Sequence, residues 1–364
     1  MNERGTKGRL LVGVAVMSML AGCTAGANPS AAPASQTPSS VVVSPTPSAT
    51  PTATPTPTPT PPSAVVTRDL AHEAANAVLV PGVLDVYAPA RAGPWPVVVM
   101  FHPLPSEVSK DALSEPARRV ADLGFVVFVP AWGHPSDGRY GSAGGAPTYD
   151  QLLAQNSEAA CAIAFARAHA AEHGGDPARM IVFGWSAGAM VGAMVAFARP
   201  EPSAGCLAGT TLGEIDALVT WEGDWLLSNP ALGWDTLLAA DPRLLANDTP
   251  WPYLADHRDL KVVMLVSENP GAQFERKVSD PGAADSFFAL RDPSGVLRRQ
   301  LKDSGLLADG IFDFGDAQRL LFSVLRAQGN PVSLDVMPGS THYTLSDAGW
   351  KVFLAAFGKA AEQD

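Results

Sequence analysis

The sequence predicts an α/β fold, with a mostly parallel central sheet, helices on both faces of the sheet and a small cap insertion. Short segments that are apolar throughout, such as Pro96–Phe101, alternate with longer segments of helical periodicity. Strands of this kind are typical of parallel sheets that are covered on both faces. Hydrophobic residues make up 46% of the 364 residues and charged residues only 17%, so the chain has enough apolar side chains for a sizeable core.

The predicted elements run from residue 83 almost to the C-terminus. The predicted strands are Val83–Tyr87, Pro96–Phe101, Gly124–Val129, Met180–Phe183, Ala217–Trp221, Val262–Ser267 and Val332–Val336. The predicted helices are Ser114–Leu123, Tyr149–His173, Ala187–Ala198, Asp316–Gln328 and Asp347–Phe357. Residues 222–252, which are rich in tryptophan, follow a strand as the cap insertion, and residues 269–308 form a second insertion of unassigned role.

The first 64 residues are predicted to lie outside the fold. Residues 1–22 combine a basic start with a short apolar run, as a signal peptide does, and end in Leu20-Ala21-Gly22-Cys23, which resembles the lipobox of bacterial lipoproteins. Acylation of Cys23 implies an exported protein, anchored by lipid on the outer face of the cytoplasmic membrane. An ordinary secretory signal with an incidental cysteine is the alternative. Residues 23–64, rich in Pro, Thr and Ser, are predicted to form a disordered stalk, and residues 65–364 the folded domain.

Charge and cysteine content narrow the class of protein further. The formal net charge of −11 argues against a nucleic-acid partner, because phosphate binding requires clustered Lys and Arg. Apart from Cys23, the chain contains Cys161 and Cys206. An even number of cysteines in an oxidising compartment predicts a disulfide between them, with two separate buried thiols as the alternative.

The segment Gly184-Trp185-Ser186-Ala187-Gly188 has the pattern G-x-S-x-G between a predicted strand and a predicted helix. A sharp turn in this position lifts a serine hydroxyl above the sheet edge, and the N-terminus of the following helix favours negative charge there. The pattern predicts Ser186 as a nucleophile. The alternative is an inert serine in a glycine-rich turn.

A longer stretch around this turn, residues 172–190, resembles the α/β-hydrolase superfamily, in particular its carboxylesterase and hormone-sensitive-lipase-like branch, which includes acetyl esterases. Residues 85–89 and 97–103 resemble the same enzymes. The resemblance implies an α/β-hydrolase fold and hydrolysis of carboxylic esters through an acyl-enzyme, without a cofactor. It also implies a histidine base in the loop after the last strand, where this chain has His342 in Pro338-Gly339-Ser340-Thr341-His342.

The acid of the predicted triad is left open by the sequence. The order in these enzymes is Ser, then Asp or Glu, then His, with the acid normally after the strand Val262–Ser267. Counting back from the next helix indicates Asp309, while Glu268 directly follows the strand and is the alternative. Further loop carboxylates in the interval are Asp280, Asp285 and Asp313.

The oxyanion hole requires two backbone N–H groups. Ala187, directly after the nucleophile, is predicted to supply one of them. Relatives supply the other from a His-Gly-Gly loop, but this chain has His102-Pro103-Leu104-Pro105. Because proline has no N–H, Leu104 is the predicted second donor.

These observations together predict a serine esterase for a small-molecule ester, of short acyl chain. They contain no signature for a metal or a nucleotide, so no cofactor is expected. Two alternatives are a catalytically inactive hydrolase fold that acts as a surface binding protein, and a serine hydrolase of lipid, polyester or peptide. The natural substrate and the oligomeric state are not predicted by the sequence.

Overall fold

The computed structural model describes residues 63–73, 82–104, 110–133, 147–209, 211–228, 233–271, 275–292 and 294–362. These residues belong to one compact unit, Thr60–Asp364. The predicted signal peptide, the predicted lipidation site Cys23 and most of the predicted stalk lie outside the described residues, so the domain boundaries remain predictions. Among the described residues, no helix has both the length and the apolar character that a membrane crossing requires.

Ten strands and nine helices are found in the described part of the chain. The strands are β1 Val65–Ala71, β2 Val83–Ala88, β3 Trp95–Phe101, β4 Val126–Pro130, β5 Gly175–Trp185, β6 Ala217–Trp221, β7 Lys261–Asn269, β8 Arg276–Lys277, β9 Ile311–Phe312 and β10 Val332–Thr341. The helices are α1 Ser114–Leu123, α2 Tyr149–His169, α3 Ala187–Ala198, α4 Trp234–Ala240, α5 Arg243–Asp248, α6 Pro281–Arg291, α7 Val296–Asp303, α8 Phe314–Gln328 and α9 Asp347–Ala361.

Eight of these strands form one sheet in the order β1-β2-β4-β3-β5-β6-β7-β10. The pairs β1–β2 and β2–β4 are antiparallel, and the remaining pairs, from β4 and β3 to β7 and β10, are parallel. The prediction of an α/β-hydrolase fold is thereby confirmed. Because the parallel strands all end at the same edge, the segments that follow β3, β5, β6, β7 and β10 converge on one side of the sheet.

The two faces of the sheet bury separate apolar cores. Val97, Val99 and Phe101 of β3 belong to the core under α2, α3 and α8, while Val98 and Met100 of the same strand belong to the core under α1 and α9. This alternation follows from the period of two residues in a strand. A strand that is buried on both faces is apolar at every position, which is why the sequence reveals β3 so clearly.

The structure departs from the predicted elements mainly at the edge of the sheet and in the insertions. Strand β1 was not predicted, because its sequence Val-Val-Thr-Arg-Asp-Leu-Ala carries charge and it lies at the half-exposed edge. The cap insertion holds α4 and α5. The second insertion holds β8, α6 and α7. Strand β9, just after the insertion, pairs with β8 in a separate antiparallel two-stranded sheet.

The predicted disulfide between Cys161 and Cys206 is present, with a Cα–Cα distance of 5.4 Å. It joins the middle of α2 to the segment after α3, and Cys206 also forms a backbone bridge with Glu73. The disulfide therefore ties the segment after α3 covalently to α2, and the backbone bridge holds Glu73, near the end of β1, beside this segment.

Removal of this disulfide is expected to destabilise the domain without altering the chemistry. The bridge spans 45 residues, and the loss of unfolded-chain entropy for such a loop corresponds to about 4 kcal/mol as an upper estimate. We expect Cys161→Ala/Cys206→Ala to lower the free energy of unfolding by about 2–4 kcal/mol. Urea unfolding followed by tryptophan fluorescence measures this. Dithiothreitol should shift the wild-type midpoint but not that of the double variant, and equal midpoints for the two proteins would contradict the expectation.

Candidate active site

Ser186 lies in the sharp turn between β5 and α3. Its φ of 58° and ψ of −122° place its backbone in a region that residues other than glycine rarely adopt. The turn is held because the Ser186 N–H donates to the carbonyl of Trp221, at 2.7 Å, and the Ser186 carbonyl accepts from Ala189 N–H, at 2.9 Å. Such strain persists only where the surroundings enforce it, and it is common at catalytic positions.

The two glycines of the motif are required by close packing of backbone on backbone. A Cβ on Gly184 would lie 2.1 Å from the carbonyl oxygen of Gly188, and a Cβ on Gly188 would lie 2.2 Å from that of Phe101. Neither position has room for any side chain. The pattern G-x-S-x-G is therefore a steric requirement of this turn.

His342 directly follows β10, and its ring reaches the serine. The Nε2 atom of His342 lies 2.9 Å from the Oγ of Ser186. The ring is 1% exposed and packs edge-on against Phe314 and Tyr343, with ring centroids 5.1 and 4.9 Å away. The structure thus brings together the predicted nucleophile and the predicted base, which are 156 residues apart in the chain.

The carboxylate that contacts the histidine belongs to Glu222. Its Oε2 lies 2.5 Å from the Nδ1 of His342, and both side chains are buried. Its Oε1 accepts a hydrogen bond from the Ser267 N–H at 2.5 Å. Each oxygen of this buried carboxylate therefore has a partner, and the three side chains of Ser186, His342 and Glu222 form a continuous hydrogen-bonded chain.

The prediction of Asp309 as the acid is therefore wrong, and so is the alternative Glu268. Asp309 is exposed, and its Oδ1 accepts from the N–H of Ile311. The Oε2 of Glu268 accepts from the Gly339 N–H at 2.7 Å, so this exposed side chain supports the loop that carries His342 without reaching the ring.

The remaining loop carboxylates also have other roles or lie on the surface. Asp313 is the N-cap of α8, where it forms a capping box with Asp316. Asp285 pairs with Arg298, and Asp280 is exposed at the start of α6.

A signal for Glu222 is present in the sequence. Glu222 directly follows β6, and it satisfies the order Ser, acid, His. In the sheet β6 is the neighbour of β5, with Trp221 in register with Trp185, so the residues after these two positions lie side by side. Glu222 is also the first residue of the predicted cap insertion, residues 222–252, so the sequence pattern does not single it out as the acid. Its φ of 52° is a second mark of a functional position, visible only in the structure.

Aromatic side chains hold the ends of these strands together beneath the site. Trp185 stacks on Trp221 with ring centroids 4.5 Å apart and an angle of 7° between the planes. The Nε1 of Trp185 donates to the carbonyl of His342 at 2.8 Å, and the Nε1 of Trp221 donates to the Oγ of Ser267 at 3.1 Å. The Trp185 hydrogen bond thus links the strand end that carries the serine to the histidine, and the stack of Trp185 on Trp221 links it to the strand end that carries the acid.

The predicted oxyanion-hole residues follow β5 and β3, two neighbouring parallel strands of the sheet. Ala187 is the first residue of α3, and Leu104 follows β3; both are partly buried against the same core. The close approach of Gly188 to the carbonyls of Phe101 and His102 sets the turn after β3 against the N-terminus of α3. The roles of Ala187 and Leu104 remain predictions.

Other polar and aromatic residues near these loops have structural partners. The Nδ1 of His102 lies 2.9 Å from the carbonyl of Pro103, and the His102 carbonyl accepts from the Trp132 indole. In the cap insertion, Trp225 and Trp234 are buried in the core. Within the described residues, no group of three or more His, Cys, Asp or Glu side chains is arranged to hold a metal ion.

Comparison with known proteins agrees with this fold. Residues 84–206, about a third of the chain, match the profile of the dienelactone hydrolase family. This match names a different family from the carboxylesterase and hormone-sensitive-lipase-like branch that the sequence resembles. No curated protein matches the chain.

Among solved structures, the chain is similar to a thermophilic esterase, Est2, of the Planctomycetes species Thermogutta terrifontis. The butyrate-bound form is 16% identical, covers 82% of this chain and 93% of its own length, and has a TM-score of 0.52. The form phosphonylated by sarin is 16% identical, covers 83% and 95%, and has a TM-score of 0.51. The propionate-bound form is 17% identical, covers 82% and 93%, and has a TM-score of 0.50. At these identities the likeness demonstrates the fold alone.

Proposed function

We propose that this protein is a serine hydrolase that cleaves carboxylic esters through an acyl-enzyme, with Ser186, His342 and Glu222 as its triad. The observation that carries the proposal is the continuous contact from Ser186 Oγ to His342 Nε2, at 2.9 Å, and from His342 Nδ1 to Glu222 Oε2, at 2.5 Å. A buried carboxylate that orients an imidazole toward a strained serine is the arrangement that activates a hydroxyl as a nucleophile.

In the proposed reaction the Oγ of Ser186 attacks the ester carbonyl while its proton passes to Nε2 of His342. Glu222 stabilises the imidazolium and keeps the remaining N–H on Nδ1. The N–H groups of Ala187 and Leu104 are the proposed donors to the oxyanion. The alcohol leaves with the proton from Nε2. Water then attacks the acyl-enzyme, again with His342 as base, and the acid is released with Ser186 restored.

The proposed substrates are esters with short acyl chains. The Thermogutta terrifontis esterase with the same fold was solved with butyrate and with propionate bound. The match to the dienelactone hydrolase family supports a second class, the cyclic ester, because a lactone is opened by the same attack on an acyl carbon. The finer assignment to the carboxylesterase branch is part of this proposal.

The test is hydrolysis of p-nitrophenyl esters from acetyl to palmitoyl, and of a simple lactone, by the purified full chain in detergent. We expect the largest kcat/KM on acetyl to butyryl esters. A maximum at long chains would instead favour a lipase, and a maximum on the lactone would favour the cyclic class. Absence of activity together with absence of fluorophosphonate labelling at Ser186 would favour an inactive hydrolase fold that serves as a surface binding protein.

We also propose that Cys23 carries lipid and that the domain is exported and held at the outer face of the cytoplasmic membrane. Support comes from the sequence Leu20-Ala21-Gly22-Cys23 at the end of the apolar run. We expect the wild-type chain, expressed in a bacterium, to incorporate labelled palmitate and to require detergent for extraction. Cys23→Ser should abolish the label. Retention of the label in this variant would contradict the proposal.

A further inference from the structure

The segment Glu222–Ser228, which follows β6, is buried along its whole length although it is neither helix nor strand. Irregular backbone usually runs over the surface, because its polar groups need hydrogen-bond partners. We call this segment the acid loop, since it begins with the carboxylate that contacts His342. Because the acid loop is buried, its carbonyl groups need hydrogen-bond donors from within the protein.

Five carbonyls of the acid loop accept hydrogen bonds from side chains of other elements, and one of them is that of Ser228, which accepts from Nη1 of Arg276 at 3.5 Å. Gln318 of α8 donates to Gly223 at 3.4 Å, and the Trp251 indole donates to Trp225 at 2.5 Å. Arg291 supplies the other two: its Nε donates to Leu226 at 2.5 Å and its Nη2 donates to Leu227 at 2.8 Å. Arg291 therefore holds two adjacent carbonyls with one planar group, a geometry for which the guanidinium fork is well suited.

The acid loop is strained at two positions, its first residue Glu222 and Leu227, whose carbonyl Arg291 holds. Glu222 and Leu227 each have a φ of 52°, and neither is glycine. Backbone of this kind costs about 1–3 kcal/mol per residue and persists only where the surroundings enforce it. The contacts to Leu226 and Leu227 act directly on the second of these positions. The first is the position from which Glu222 reaches His342.

Arg291 is itself firmly placed. It is the last residue of α6, its side chain is fully buried, and its guanidinium lies over the Phe287 ring, 4.1 Å from the centroid. Asp235 provides the counter-charge, with its Oδ1 2.7 Å from the Nη2 of Arg291, and also pairs with Arg276. The guanidinium has a third carbonyl acceptor in Phe287 of its own helix, at 3.2 Å from Nη1. A buried arginine with a counter-ion and three carbonyl acceptors is costly to assemble, and it must be well paired to persist.

We propose that Arg291 is a positioning residue for the triad: by holding the carbonyls of Leu226 and Leu227, it keeps Glu222 at the Nδ1 of His342. This inference rests on the proposed function. It assigns a role to the second insertion, residues 269–308, whose helix α6 carries Arg291 to the acid loop. Arg291 touches neither His342 nor Ser186, so its effect on the reaction passes through Glu222.

The test compares Arg291→Lys in the wild-type background and in the Glu222→Gln background. Lysine keeps the positive charge, but its ammonium group lacks the planar set of N–H donors with which the guanidinium binds the carbonyls of Leu226 and Leu227 together. With kcat expressed per serine titrated by a fluorophosphonate, we expect a loss of about 10-fold in the wild-type background with KM changed less than about twofold. In the Glu222→Gln background the same substitution should lower kcat by less than about twofold, because the contact between the Glu222 carboxylate and His342, through which Arg291 acts, is already lost.

Arg298→Lys is the matched control. Arg298 lies on the neighbouring helix α7, pairs with Asp285 and lies over the Phe288 ring, but it does not contact the acid loop. We expect its kcat per titrated serine to equal that of the wild type. An equal loss from Arg291→Lys in both backgrounds, or no loss in the wild-type background, would overturn the proposal.

A second measurement does not depend on ester turnover. The proton on Nδ1 of His342, shared with Glu222, should give a protected downfield NMR signal in the wild type and a weakened one in Arg291→Lys. A wild type that shows the signal but hydrolyses no ester would refute the proposed function while leaving the positioning role standing. If Arg291→Lys gives no titratable serine, Asp235→Asn takes its place, a substitution that removes the counter-charge of Arg291 and of Arg276 but keeps the shape of the side chain. We then expect a smaller loss that again disappears in the Glu222→Gln background, and equal losses in both backgrounds would overturn the proposal.

Discussion

Ser186→Ala should reduce kcat for p-nitrophenyl acetate by about 100,000-fold or more while leaving the fold intact. The substitution removes the only atom of the triad that bonds to the acyl group, and attack by water alone recovers little of the rate. The fold should tolerate the change because Ser186 holds the turn through its backbone N–H and carbonyl, and neither is removed. Steady-state kinetics together with the thermal unfolding midpoint measure both parts of the expectation.

The matched control for this variant is Ser286→Ala. The Ser286 hydroxyl is exposed on α6 and donates only to the Gly282 carbonyl in its own helix, so activity should equal that of the wild type. Fluorophosphonate should label the control protein and not Ser186→Ala. Undiminished hydrolysis by Ser186→Ala would show that another group is the nucleophile and would refute the proposed reaction.

Glu222→Gln should lower kcat by about 10,000-fold, the loss found where a triad carboxylate is replaced by an amide. The direction follows from the partners of Glu222. The Ser267 N–H can only donate, so it selects the amide oxygen of glutamine and turns the amide NH₂ toward His342. Nδ1 must then accept, which leaves the ring proton on Nε2, where it faces Ser186. An imidazole in that tautomer cannot take the serine proton.

Asp309→Asn is the informative comparison for Glu222→Gln, because both replace a carboxylate by its amide. Asp309 is exposed and, among the described residues, bonds only to the nearby Ile311 N–H, so we expect the kcat of this variant to stay within about twofold of the wild type. Steady-state kinetics on the same ester, with active sites titrated, give both numbers. A large loss for Asp309→Asn with full activity for Glu222→Gln would restore the acid that the sequence alone suggested.

The difference between these two carboxylates shows where sequence reasoning stops. Ser186 is identified by residues within two positions of it, because the turn that exposes its hydroxyl is a local steric requirement met by Gly184 and Gly188. His342 is identified by its place after the last strand. The acid has no such local mark, since an acidic residue after β6 or after β7 can reach the same imidazole.

The amino-acid sequence alone predicts the α/β class, most of the strands and helices that form the sheet and its layers, the disulfide partners, and the serine and histidine of the site. The class, the elements and the serine depend on the period of apolar residues or on a steric requirement within a few positions, the disulfide follows from the number of cysteines, and the histidine follows from the resemblance to a known family. The folded structure is needed to identify Glu222 as the carboxylate at His342 and to bring Arg291, on an insertion helix, to the acid loop. Those contacts join residues 120 and 64–65 positions apart, and they depend on strand order, backbone strain and burial, which no short stretch of sequence encodes.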